Sequence, residues 1–172
     1  MDVGEGALLR LVEFKSDGDQ IAVGLRDGQE TRWRLLDGAS GSVLFDQTYT
    51  GNVSSIRTPD GWLLLYGAEL ARISNGENAT LANLNVQAGR NARLTADPQG
   101  NVYVYAGDSE STLLSVDPAG NIRWSQTYPA PGASIAPLIG TGGGCLLYTL
   151  DSDGTLNVFD SATGQLAAQR HL

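Results

Sequence analysis

Apolar and polar residues alternate along this chain in short bursts that never settle into a helical period. The first bursts are Leu8–Phe14, Gln20–Leu25, Thr31–Leu36 and Ser42–Thr48. Val53–Thr58, Trp62–Tyr66, Leu70–Ile73 and Thr80–Val86 follow, then Ala92–Ala96, Asn101–Tyr105, Thr112–Val116 and Ile122–Tyr128. Ser134–Ile139, Cys145–Thr149, Thr155–Phe159 and Gln165–Leu172 complete the series. Each is rich in Val, Ile, Leu, Tyr or Trp, the residues that fit a pleated, half-buried surface, so each predicts a strand. Ser16-Asp17-Gly18-Asp19, Pro59-Asp60-Gly61, Asp97-Pro98-Gln99-Gly100 and the run Gly140 to Gly144 stand between them as turns.

The bursts recur in fours. Arg32–Tyr49, Thr112–Tyr128 and Thr155–Leu172 each carry an apolar run closing on an aspartate (Asp37, Asp117, Asp160), a turn rich in small residues, and a second apolar run. Asp117 and Asp160 are 43 residues apart, and Asp37 and Asp117 are 80 apart, or two periods. A degenerate middle copy falls at Leu70–Val86, with Ser74-Asn75-Gly76 as its turn and Ser74 in the aspartate's place. Four units of four short strands predict an all-β protein, a β-propeller of four four-stranded antiparallel blades forming one domain over 1–172. The blades are expected near 7–50, 51–88, 89–130 and 131–172. A jelly roll or sandwich of equal strand count would not require one period.

The units resemble the repeat of the pyrroloquinoline-quinone-like propellers. Asp160, Ala162, Thr163, Gly164 and Gln165 carry the likeness in the fourth unit. Asp37, Ala39, Ser40, Gly41 and Phe45 carry it in the first, and Asp117, Ala119, Gly120 and Trp124 in the third. The resemblance implies that Trp124, and Phe45 in its stead, docks on the following blade. Ala168 departs from that pattern. Relatives usually have six to eight blades, so four leave three alternatives: a piece of a longer ring, half of an eight-bladed homodimer, or a small closed ring. The resemblance also implies a bacterial, extracytoplasmic setting and a scaffold that assembles proteins. The amino terminus shows no basic region followed by a long apolar one and does not read as a signal peptide, so the alternatives are a cytoplasmic protein or one whose leader has been removed.

Composition narrows the chemistry. A formal net charge of -8, with eleven basic residues scattered and only Lys15 a lysine, argues against nucleic-acid or anionic-membrane surfaces. No apolar stretch approaches a membrane span. One histidine (His171) and one cysteine (Cys145) rule out a Ser-His-Asp triad, a zinc helix motif and an intrachain disulfide. Quinone-dependent dehydrogenases of the resembled family are implied to use eight blades, a calcium ion, a catalytic aspartate and adjacent cysteines. This chain is therefore expected not to be an enzyme and to hold no cofactor, with a piece of such a quinoprotein as the competing reading. Asp151-Ser152-Asp153-Gly154 hints at a metal loop but lacks the later oxygen ligands, and reads as a hairpin turn. Asp27, Glu30, Glu69, Asp108, Glu110, Asp151 and Asp153 fall in second-to-third-strand loops and would line one acidic rim, which would take a cation or a basic partner. Trp33, Trp62, Tyr49, Tyr66, Tyr103, Tyr105, Tyr128 and Tyr148 lie on strands in alternation and are expected to pack between blades rather than form an exposed platform. The partner is expected to be another protein or a second copy of the chain.

Overall fold

In the computed structural model, residues 10–16, 18–87, 89, 92–106, 110–129, 138–142, 146–150 and 154–172 are described. They form sixteen strands and, among the described residues, no helix. The first sheet contains β1 (Arg10–Ser16), β2 (Gln20–Asp27), β3 (Glu30–Asp37) and β4 (Val43–Thr50). The second contains β5 (Val53–Thr58), β6 (Gly61–Tyr66), β7 (Glu69–Ser74) and β8 (Glu77–Asn83). The third contains β9 (Arg93–Ala96), β10 (Val102–Ala106), β11 (Glu110–Val116) and β12 (Ile122–Pro129). The fourth contains β13 (Leu138–Gly142), β14 (Leu146–Leu150), β15 (Thr155–Asp160) and β16 (Leu166–His171). Each sheet is an antiparallel meander with strands in chain order.

The alternation seen in sequence becomes two apolar faces per sheet, and neighbouring sheets bury them against each other. Ala22, Trp33 and Leu35 of the first sheet meet Trp62, Leu64 and Ile73 of the second. The other face of the second sheet (Leu63, Leu65, Leu70, Ala82) meets Val102, Val104, Leu114 and Val116 of the third. Tyr103, Tyr105, Leu113 and Trp124 on the third sheet's far face meet Leu147 and Phe159 of the fourth. A sheet buried on both sides needs apolar residues at consecutive positions, which is why β6 reads Trp62-Leu63-Leu64-Leu65 and β10 is buried throughout.

One irregularity recurs. Where the last two strands of each sheet pair, the outer strand carries one extra residue: Leu44, Leu81, Arg123 and Ala167. Such bulges bend and twist an outer strand. The second sheet departs from expectation at its outer hairpin. Ser74 does not take an aspartate's role but pairs with Glu77 across Asn75-Gly76, so β8 begins three residues earlier than the apolar pattern indicates. Asn75 (φ 52) and Gly76 (φ 80) have the two left-handed conformations of a two-residue hairpin turn. The glycine run beginning at Gly140 also departs from its reading as a turn, since Gly140 and Gly142 pair with Tyr148 and Leu146 inside the β13–β14 ladder.

Candidate functional site

The repeat aspartates are turn-builders. Asp37 Oδ1 accepts hydrogen bonds from the Ala39 and Ser40 amides (3.2 and 2.7 Å) and the Ser40 hydroxyl. Asp160 does the same for Ala162, Thr163 and the Thr163 hydroxyl. Asp117 accepts from the Ala119 and Asn121 amides and, at 3.0 Å, from Asn121 Nδ2. Hydrogen bonds from Ser40, Asn121 and Thr163 hold the three carboxyls below their usual range. Each carboxylate thus holds its own turn together.

Asp97 builds the same turn at the β9–β10 corner. Asp97-Pro98-Gln99-Gly100-Asn101 and Asp117-Pro118-Ala119-Gly120-Asn121 are one motif twice in one sheet. The sequence reading took the first only as a turn, although the recurring Asp-Pro-x-Gly-Asn was available as a signal. Burial works to raise the Asp97 pKa, but hydrogen bonds from Asn101, the buried Tyr103 hydroxyl (2.8 Å) and two backbone amides outweigh it, so the net direction is downward.

Trp124 and Phe45 lie beside the cores their sheets share with the following sheet. Trp124 lies on the face toward the fourth sheet, nine-tenths buried, and its indole Nε1 donates to the Ser161 carbonyl at 3.0 Å. The ring lies flat on Gly164 (φ +73), so closely that a Cβ there would stand 2.4 Å from it. Phe45 is half-buried and packs edge-on against Trp33 at 5.9 Å, beside the core shared with the second sheet. A second tie crosses that interface, from Trp62 Nε1 to Gln20 Oε1 at 2.9 Å. Trp62, Tyr49, Tyr66, Tyr103 and Tyr105 sit between sheets too. Tyr148 departs from that expectation, since it lies on the face of the fourth sheet away from the third. Tyr49 and Tyr66 stack with centroids 4.3 Å apart, and burial raises the Tyr49 phenol pKa well above its ordinary value. Tyr103 and Tyr105 are buried, and Tyr148 is half-buried on the fourth sheet; the Tyr128 side chain lies outside the described residues.

The acidic rim is placed only in part. Asp27 and Glu30 are exposed and face each other across the β2–β3 turn. Glu69 opens β7 and accepts from the Thr80 hydroxyl at 3.0 Å. Asp108, Asp151 and Asp153 lie outside the described residues, as does the side chain of Glu110. Among the described residues no three His, Cys, Asp or Glu side chains gather as a metal would need. A crevice of about 920 Å³ opens between the first and second sheets at the opposite end, with Arg57 and Asp60 giving it mixed charge.

Among the described residues, the two terminal sheets each have one face that no other sheet covers. On the first sheet these positions are Ile21, Val23, Leu25 and Leu36, all half-buried, with Arg32 and Arg34 both paired to Asp46. On the fourth they are Leu146, Tyr148, Leu150, Leu156, Val158 and Ala168, none of them buried. Strand register makes the two faces counterparts of faces that are closed elsewhere. Ile21 and Val23 occupy the positions of Val102 and Val104 in the third sheet, both fully buried. Tyr148, Val158 and Ala168 occupy those of Tyr103, Ser115 and Trp124.

No protein-family model matches the chain, and no curated protein matches it. Solved structures of similar fold include BamB from Moraxella catarrhalis (TM-score 0.58, 15% identity, 92% of this chain and 51% of that one). A protein of unknown function from Bacteroides caccae is similar at TM-score 0.54 and 17% identity, over 82% of this chain and 54% of that one. The computationally designed Ika4 protein matches at TM-score 0.63 and 16% identity, over 91% of this chain and 94% of that one. The chain thus spans about half the length of the first two. At these identities the likeness is one of fold.

Proposed function

We propose that the chain is a β-propeller unit of four blades that acts as a non-catalytic scaffold, assembling with protein through the uncovered faces of its end blades. The observation that carries this reading is the contrast between three closed sheet-to-sheet cores and two end faces whose aliphatic positions are not covered by another described sheet. Contiguous apolar surface of this kind marks an interaction site. The fold shared with BamB supports the same direction, and with it an extracytoplasmic setting of the kind the repeat resemblance implies.

The turn aspartates are in keeping with this reading, because each holds the backbone amides of its own turn. The competing reading, a cation- or quinone-binding module, makes a separate prediction. A ligand that binds the folded state raises the melting temperature by mass action. Thermal unfolding with and without calcium, and with and without pyrroloquinoline quinone, should show no upward shift. A saturable rise with either would replace the scaffold reading by a ligand-binding one.

A further inference from the structure

The three closed interfaces share a detail at their outer corners. The turn glycine of each following sheet lies against the outer strand of the sheet before it: Gly76 under the Leu44 carbonyl, Gly120 under the Leu81 carbonyl, and Gly164 under the Trp124 ring. A Cβ on these glycines would meet those atoms at 3.1, 2.0 and 2.4 Å. Gly41 is the equivalent glycine of the first sheet, and nothing stands within 4 Å of where its Cβ would be. At the other end of the stack, Ala168 has the position of Trp124 and is exposed. Among the described residues, one end therefore offers an open cradle at Gly41 and the other an outer strand with no sheet against it.

From this pairing we infer that two copies of the chain associate head to tail, the fourth sheet of each packing on the first sheet of the other to make a ring of eight sheets. The inference rests on the scaffold reading and names its partner. The two open faces belong to one interface type. Leu146, Tyr148, Leu150, Leu156 and Val158 supply the forward face, and Ile21, Val23, Leu25 and Leu36 the backward one. Arg34 and Asp46 stand where Asn157 and Gln169 stand in the fourth sheet, a hydrogen-bonded polar pair in which Asn157 is buried and Gln169 stays exposed, so the charged pair belongs at the rim of the contact. Four strands spaced ~4.8 Å apart with ~3.3 Å per residue give roughly 300 Å² per face, and two face-to-face contacts, which cover four faces, on the order of 1,200 Å². That lies within the range of specific complexes. Two of the solved chains of similar fold run to about twice the matched length, as a ring of two such units would, while the designed Ika4 chain is about as long as this one.

The test is light scattering after size exclusion over a dilution series of the full chain, whose mass is 18.1 kDa. A discrete dimer that dissociates on dilution is expected. Because each chain uses both faces, Val158→Arg or Val23→Arg damages both contacts and should weaken association on the order of a hundredfold. Mixing the two variants restores one undamaged contact in the mixed dimer, so that dimer should form more tightly than either variant alone. Ala168→Trp, placed to cover Gly41 as Trp124 covers Gly164, should tighten the dimer about tenfold. It also tests the geometry by gain rather than loss. With a net charge of -8 on each copy, association should strengthen as salt rises. A monomer at every concentration, open-ended oligomers, or a dimer sensitive to only one of the two arginine variants would overturn the inference. A monomer would leave the scaffold reading to the ligand measurements above, so the two fail separately.

Discussion

Trp124 and Gly164 together test whether sheets in this protein are held by docked outer corners. The indole is nine-tenths buried between the third and fourth sheets, and its Nε1 is pinned to the Ser161 carbonyl. A buried tryptophan contributes about 150–250 Å² of contact. At ~25 cal/mol per Å² this is roughly 4–6 kcal/mol, and truncations of this kind cost about 3–5 kcal/mol. Trp124→Ala should thus cost about 4 kcal/mol, a fall in melting temperature on the order of 8–16 °C for a chain of this size. Gly164→Ala introduces two separate costs. The left-handed backbone (φ +73) is worth about 1–2 kcal/mol. The steric part comes from a Cβ 2.4 Å from a ring that cannot slide away without losing its hydrogen bond, and overpacking of this sort costs about 1–3 kcal/mol. Removing the ring removes the second cost and leaves the first. In the Trp124→Ala background Gly164→Ala should therefore cost only about 1–2 kcal/mol, giving a coupling of about 1–3 kcal/mol between the sites. Urea unfolding followed by far-ultraviolet circular dichroism measures all four members of the cycle without relying on the mutated fluorophore. If Gly164→Ala costs the same in both backgrounds, the ring does not lie on the glycine and the docking argument fails.

Three further outcomes follow from the turns. Asp97→Ala leaves the buried Tyr103 hydroxyl and the Asn101 turn without their acceptor and should cost about 1–3 kcal/mol, with Tyr103→Phe recovering part of the loss in the double variant. Asn75→Ala should cost about 1 kcal/mol because an alanine there is forced into a left-handed conformation, whereas Asn75→Gly should be close to neutral. The lowered pKa values of Asp37, Asp97, Asp117 and Asp160 set an acid limit. These carboxyls bind fewer protons folded than unfolded, so their stabilisation is fully present above the unfolded value near 3.8 and is lost as pH falls below it. The melting temperature should be flat with respect to these groups from neutral pH down to that point and then drop, and a temperature independent of pH through the acid range would contradict the assignment.

Much of this architecture is legible in the sequence because the same local rules repeat. Alternation gives the strands, turn residues give their ends, and the 43-residue spacing of Asp117 and Asp160 gives the unit. Trp124 could be placed at a sheet-to-sheet contact because it stands where the resembled repeat has its closing tryptophan, and the structure puts one turn and one bulge between it and the repeat aspartate. The second unit was harder to read. Aligning Ser74 with the aspartates treats its turn as long, whereas Asn75-Gly76 closes a hairpin in two residues and starts β8 at once. The Tyr103–Asp97 bond is a different case: it depends on which side chain the β10 pleat brings over the β9–β10 corner, and periodicity carries no such information. The open faces were legible only as a count of units. Their identity as counterparts of closed faces needed strand register, since Ile21 and Val102 look alike in sequence and differ only in what lies over them.

The most direct measurement of the central claim is methyl relaxation by a soluble paramagnetic agent, recorded by nuclear magnetic resonance on dilute and concentrated samples. Leu64, Val102 and Leu114, closed between sheets, should be shielded at every concentration. Val23, Leu156 and Val158 should relax strongly when the chain is dilute and become shielded together as it is concentrated. Shielding of Val23 and Val158 at the lowest concentration would mean that the first and fourth sheets already cover each other within one chain, and the open-ended account would be wrong.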